Sequence, residues 1–151
     1  IDDLLAEIAA RGLGELSGMM AAEAARAGDD ATRRLVGQGV GYMAFAAAHP
    51  MLFRLMFNRE TDAFETPALV AAAKAMREQH FAAIEAALPK AAPEVKERMS
   101  DFAWATMHGF ITLVLEGQVG EADSSRALKA RGMSLLAAMA EAVVRAGGVD
   151  D

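Results

Sequence analysis

The sequence predicts an all-α domain, a bundle of about six helices, and three observations carry that expectation. Apolar residues recur at helical spacing along nearly the whole chain, no stretch sustains strand alternation, and prolines and glycines stand where helices would start and stop. A chain of 151 residues can bury most of its apolar surface in one core, so one domain suffices without a disulfide or metal staple.

The first helix is expected from about Asp2 to Arg26, with Leu5, Ile8, Gly12, Leu16 and Met19 as its inward stripe and Leu4, Leu13 and Met20 beside it. Gly28 ends it, and Asp29 or Asp30 can cap the next. The second, about Ala31 to Ala48, carries Leu35, Val36, Val40, Met43 and Ala47 on one side, with Tyr42 and Phe45 on another. Pro50 closes it and opens a short third helix to Phe57, because proline is tolerated at a first helical position but not inside. Thr66 and Pro67 repeat that grammar and open a fourth helix to about Leu88, with Leu69, Ala73, Met76, His80 and Ile84 in line. A fifth runs from Pro93 to about Gly117, with Glu94 where the helix dipole favours a carboxylate. A last helix, capped by Asp123, ends near Ala146 before two glycines.

The last two helices are apolar almost all round. On the fifth, Trp104, His108, Ile111 and Leu115 form one row while Met99, Phe102, Thr106, Phe110 and Leu113 form a second. On the sixth, Leu128, Leu135, Met139 and Val143 lie on one side with Gly132, Leu136 and Ala140 adjoining. One small core has trouble covering both faces of both helices, so a homodimer is expected, built as a four-helix interface. The expected interface residues are Met99, Phe102, Thr106, Phe110, Leu113, Leu128, Leu135, Leu136, Met139 and Val143. A wholly internal helix pair is the plainer alternative.

Composition narrows the partners. A formal charge of -6 with no basic run argues against nucleic-acid binding by this segment. The absence of cysteine suits a reducing cytoplasm, and a cytoplasmic location is expected. The 14-residue run from Phe102 to Leu115 is too short for a bilayer, and the uncharged stretch from Leu35 to Phe53 is broken by glycines and Pro50, so no membrane partner is expected. The chain opens on Ile1, already within an amphipathic pattern and without signal-peptide character, and reads as the remainder of a longer protein.

Enzyme signatures are missing. No Glu stands three before His49, His80 or His108, no two histidines lie at i, i+4, and no serine sits in a nucleophile elbow, so no catalytic residue, metal or cofactor is expected. The segment Gly37-Gln38-Gly39-Val40-Gly41 lacks both the preceding strand and the third glycine of a dinucleotide loop, and reads as close helix packing that admits a bulky neighbour. His49, before Pro50, reads as a turn residue. Arg54 and Arg59 flank the short helix and read as solvated charges that can alternatively pair an anionic ligand.

What remains is a pocket composition. Large apolar side chains with very few polar handles are how small-molecule sites are lined, and ten methionines exceed the usual share. The candidate lining is Tyr42, Met43, Phe53, Met56, Phe57, Met76, His80, Trp104, Met107, His108 and Ile111, to which Phe45 and Phe81 add aromatic bulk. Ordinary core packing explains the same set, and for His108 a satisfied interior histidine competes with a polar handle.

Two segments carry a family likeness. YMAFAAAHPMLFRLMF, residues 42–57, resembles the aromatic, His-Pro, Leu-aromatic-Arg-Leu-Met-Phe passage of TetR-type transcriptional regulators. AWATMHGFITLVLEG, residues 103–117, resembles the Trp-x-x-x-His-Gly element of one of their C-terminal domain types, and IDDLLAEIAARGLGEL is similar to the helix after their DNA-binding head. The resemblance implies an effector-binding and dimerisation domain over residues 1–151, with the helix-turn-helix head outside these residues. It implies a ligand-responsive regulator, a repressor by expectation, that takes a small apolar or aromatic effector and reaches operator DNA only through that head. Gly39 and Gly41 depart from the pattern by softening a helix that is ordinarily firmer. Two other readings stay open: a helical enzyme or haem or metal carrier using His108, and a purely structural dimerisation module with a filled core.

Overall fold

Six α-helices follow one another in the computed structural model, which describes residues 1–57, 66–120 and 125–148. They are α1 (Asp2–Arg26), α2 (Ala31–Ala48), α3 (Pro50–Phe57), α4 (Pro67–Ala87), α5 (Pro93–Leu115) and α6 (Ser125–Gly147), and no strand occurs among the described residues. The expected cap Asp123 and the cation Arg59 lie outside the described residues. No single helix among them is long and apolar enough to cross a membrane.

The helix ends follow the expected chemistry. The Asp30 carboxylate accepts from Arg33 N at 2.8 Å and Thr66 Oγ1 accepts from Leu69 N at 3.3 Å, each satisfying an amide that the helix leaves unpaired. Pro50 restarts the chain as α3 at 109° to α2, which carries the aromatic side chains of α3 back over the bundle. Gly28, at φ +80°, makes the turn out of α1. Asp30→Ala and Thr66→Ala should each lower stability by about 1 kcal/mol, read as a shift in urea midpoint with unchanged slope. The ion pairs Glu7–Arg11, Lys74–Glu78 and Glu141–Arg145 join exposed residues one turn apart on single helices, so they dress outer faces and do not fix the packing.

Packing departs from expectation first on α1. Its buried face is Ala6, Ala9, Gly12, Leu13, Leu16, Met20 and Ala24, whereas Leu4 and Ile8 are exposed and Leu5 is half-buried. The cause is proximity. A Cβ at Gly41 would lie 2.5 Å from Met19 O, and one at Gly37 would lie 2.7 Å from Glu23 O, so α2 meets α1 backbone to backbone and only small side chains fit between them. The glycine-rich run thus does serve close packing, but at Gly37 and Gly41 it admits a neighbour's main chain and not a bulky side chain.

At Gly39 the expectation of a bulky neighbour holds: Leu136 of α6 fills the space a side chain would occupy. The relation is reciprocal, because Met43 of α2 fills the corresponding space over Gly132 of α6. This contact corrects the expected dimer surface. Leu136, Met139 and Val143 are buried within this chain, since α6 turns them towards α2 and the core. The large apolar residues left uncovered on α5 and α6 include Phe102 at 39% exposure, Leu113 at 44%, Met133 and Val144. Met99, Phe110, Leu128 and Leu135 are half-buried, and Thr106 turns its hydroxyl back to donate to Phe102 O at 2.7 Å.

Candidate functional site

Five helices converge on a cavity of about 40 Å³. Met20 of α1, Leu35, Gln38, Gly39 and Tyr42 of α2, Met76 and His80 of α4, Ala103, Trp104 and Met107 of α5, and Met139 of α6 line it. That volume holds water but not an aromatic ring, which occupies an engineered cavity of about 150 Å³. Four of the wall residues are methionines, whose unbranched side chains repack at low cost, so the wall can yield to a ligand.

A second, larger cavity of about 690 Å³ lies outside the first, between α3 and the end of α5. Met51, Phe53, Arg54, Leu55, Phe57, His108, Thr112, Leu115 and Glu116 line it. The two meet at a hydrogen bond: Tyr42, in the inner wall, lies 2.9 Å by its hydroxyl from Nδ1 of His108, in the outer wall. Phe53 stacks on the His108 ring at a centroid distance of 5.5 Å, and Phe57 meets it edge-on at 4.7 Å. Tyr42 adds an edge contact to Phe53 at 5.6 Å, so four rings from α2, α3 and α5 form one cluster. Arg54 donates to the Leu115 carbonyl, where the α5 dipole favours a cation, and so ties α3 to that helix end.

Burial sets the protonation states. It pushes the Tyr42 phenol well above its ordinary value, against a smaller opposing hydrogen bond from Trp104, so the hydroxyl stays neutral. A neutral His108 holds the Tyr42 hydroxyl 2.9 Å from Nδ1, and the imidazole tautomer sets which of the two donates. His80 pairs Nε2 with Ser100 O at 3.0 Å, and a carbonyl can only accept, so Nε2 carries the hydrogen and donates. Desolvation lowers the pKa of His80, with the Ser100 bond and Asp101 opposing, and it lowers that of His108 also.

A histidine whose folded pKa lies below its ordinary 6.5 stays unprotonated in the fold while the unfolded chain takes up a proton. Its neutral form therefore costs nothing above pH 6.5, and stability falls as pH drops below that value. The urea midpoint should decrease between pH 7 and 5.5, and His80→Gln should flatten the decrease.

The structure gathers part of the expected lining. Tyr42, Met76, His80, Trp104 and Met107 face the inner cavity, and Phe53, Phe57 and His108 the outer one. Met43, Met56 and Ile111 line neither: Met43 packs over Gly132, Met56 over Gly12, and Ile111 is buried core. Sequence reasoning missed Met20, Leu35, Gln38 and Ala103, and assigned Met139 to another surface. Gln38 is the informative omission. It is 7% exposed, donates through Nε2 to Gln79 O at 3.4 Å, and its Oε1 has no partner among the described residues. Its signal in the sequence was a glutamine standing mid-helix among glycines and apolar residues, where a solvated polar face has no room.

A family model described as "Tetracyclin repressor-like, C-terminal domain" matches residues 35–136, more than half of the chain. A solved structure, described as that of a protein with unknown function from Rhodococcus sp. RHA1, aligns with a TM-score of 0.76 at 23% identity, covering 94% of this chain and 72% of that one. This likeness shows a shared fold. No curated protein matches the chain.

Proposed function

The chain belongs to the tetracycline-repressor-like C-terminal domains, and from that premise we propose that it is the effector-binding and dimerising part of a ligand-responsive transcriptional repressor. One observation carries the reading. Two segments 66 positions apart in sequence meet at the hydrogen bond between Tyr42 and His108, which stands between an apolar inner cavity and an outer one. A small apolar or aromatic effector enters between them and displaces the methionines.

Coupling to DNA follows from the wall. Met20 places α1 in the inner cavity, so an effector that moves Met20 acts on the helix adjoining the proposed DNA-binding head. Two heads on a dimer read successive major grooves about 34 to 36 Å apart, and a coupling of about 1 to 3 kcal/mol, spent on that spacing, changes operator affinity about 5- to 150-fold. The dimer forms through α5 and α6. In support, Phe102 and Leu113 are uncovered, and a Cβ at Gly109, less than two turns from the cavity-lining Ala103, Trp104 and Met107 on the same helix, would meet nothing within 4 Å. No group of three or more metal-ligating side chains occurs among the described residues.

Trp104 reports directly on the inner cavity. Titration with lipophilic aromatic compounds should give a saturable change in its emission, and Trp104→Ala should weaken binding while leaving assembly intact. A filled, rigid core would give no saturable change. In the protein with its head attached, a bound effector that left operator affinity unchanged would overturn the regulatory reading.

A further inference from the structure

We propose that the inner cavity selects a neutral ligand that donates a hydrogen bond, such as an aromatic alcohol or an N–H heterocycle, and that Gln38 is the residue that reads the donor. This deepens the proposed function and rests on its reading of the cavity as an effector site.

The polar groups of the wall lead to that class. Gln38 Nε2 faces the Gln79 carbonyl, which can only accept, so the amide orientation is fixed and the remaining atom is an oxygen acceptor. That oxygen is buried and has no partner among the described residues. Two other polar groups of the wall, His80 and Tyr42, already have partners. His80 gives its Nε2 hydrogen to Ser100 O, which leaves the second ring nitrogen as an acceptor. The Tyr42 hydroxyl is held by His108 at 2.9 Å. Neither Lys nor Arg is part of the lining. A carboxylate entering here finds no cation to offset its charge, while a ligand without a donor covers the Gln38 oxygen and leaves it unpaired. A site with a buried unpaired group discriminates more sharply against an analogue that cannot pair it than an apolar site discriminates by shape.

Indole and benzofuran test this, because they share a shape and differ in one ring atom, an N–H donor against an oxygen. Calorimetric titration of the chain should show indole binding about tenfold tighter than benzofuran, with no binding of benzoate. In Gln38→Met the unpaired acceptor is gone, and the two heterocycles should bind within about twofold of each other. Indole should also shift the Gln38 side-chain amide signals in the NMR spectrum of the unsubstituted chain, a readout that does not depend on the variant folding. Equal binding of indole and benzofuran by the unsubstituted chain would overturn donor selection and leave the effector site standing. A preference that survives in Gln38→Met, or Gln38 signals unmoved by saturating indole, would overturn the role of Gln38. Failure of both heterocycles to bind at millimolar concentration would overturn the inference and the pocket reading together.

Discussion

Gly41→Ala should destabilise the domain by about 2 to 3 kcal/mol, and adding Gly37→Ala should detach α1 from the bundle. The Cβ at position 41 would meet Met19 O at 2.5 Å and Met20 Cα at 2.7 Å; at position 37 it would meet Glu23 O at 2.7 Å and Ala24 Cα at 2.9 Å. These neighbours are main-chain atoms of a helix, which cannot rotate aside as a side chain would. The only relief is to part the helices, and that opens the contacts of Leu13, Leu16 and Met20 along the same face. The two sites share one crossing, so their effects should not add simply. Gly14→Ala and Gly18→Ala are the controls. A Cβ at either meets nothing within 4 Å, and alanine there should stabilise by about 0.5 to 1 kcal/mol through helix propensity. Urea unfolding of the four variants checks this, and a neutral Gly41→Ala would mean that α1 and α2 do not approach this closely.

The pair Phe102→Glu and Leu113→Glu should convert a dimer into a monomer without loss of helix. Both residues are exposed, so the substitution costs the isolated fold little. Across a two-fold axis each new carboxylate meets its own copy as well as apolar surface, and such like-charge burial costs several kcal/mol, roughly a hundredfold or more in dissociation constant. Equilibrium ultracentrifugation with circular dichroism separates assembly from folding. Leu136→Glu is the contrast: it places a charge in the core, and the helical signal itself should fall. An unsubstituted chain that sediments as a monomer at tens of micromolar removes the dimer from the account.

The helix boundaries were legible because their signals are local. Asp30, Pro50, Thr66-Pro67 and Pro93 act within a turn of themselves, whatever the rest of the chain does. Which side of a helix faces inward was less legible where two sides looked alike. On α1 the bulkier stripe through Leu5 and Ile8 outranked the alanines by hydrophobicity, yet the glycines of α2, far away in sequence, made small size the deciding property. On α6 both apolar sides were plausible, and only the notch at Gly39 selects the one bearing Leu136.

The site divides in the same way. The aromatic and histidine members were visible as unusual residues, and the structure places Tyr42, Phe53, Phe57 and His108 in one cluster. Ala103 and Leu35 line the cavity through position alone, and no residue type announces that. Gln38 was passed over because the glycines around it drew attention to packing, although an amide in such a setting is costly unless something pairs it.

The two reciprocal contacts between α2 and α6 limit how the domain can move. Leu136 sits at Gly39 and Met43 at Gly132, four positions apart on each helix, so the pairs run in opposite senses and the helices are antiparallel there. Each peg opposes axial travel in both directions, and two pegs on opposite partners also oppose rotation about either axis. α6 can neither telescope along α2 nor roll on it without withdrawing both side chains from their sockets. What such a joint leaves free is tilt, with the pegs as a fixed pivot, and the distant helix ends sweep the largest arcs.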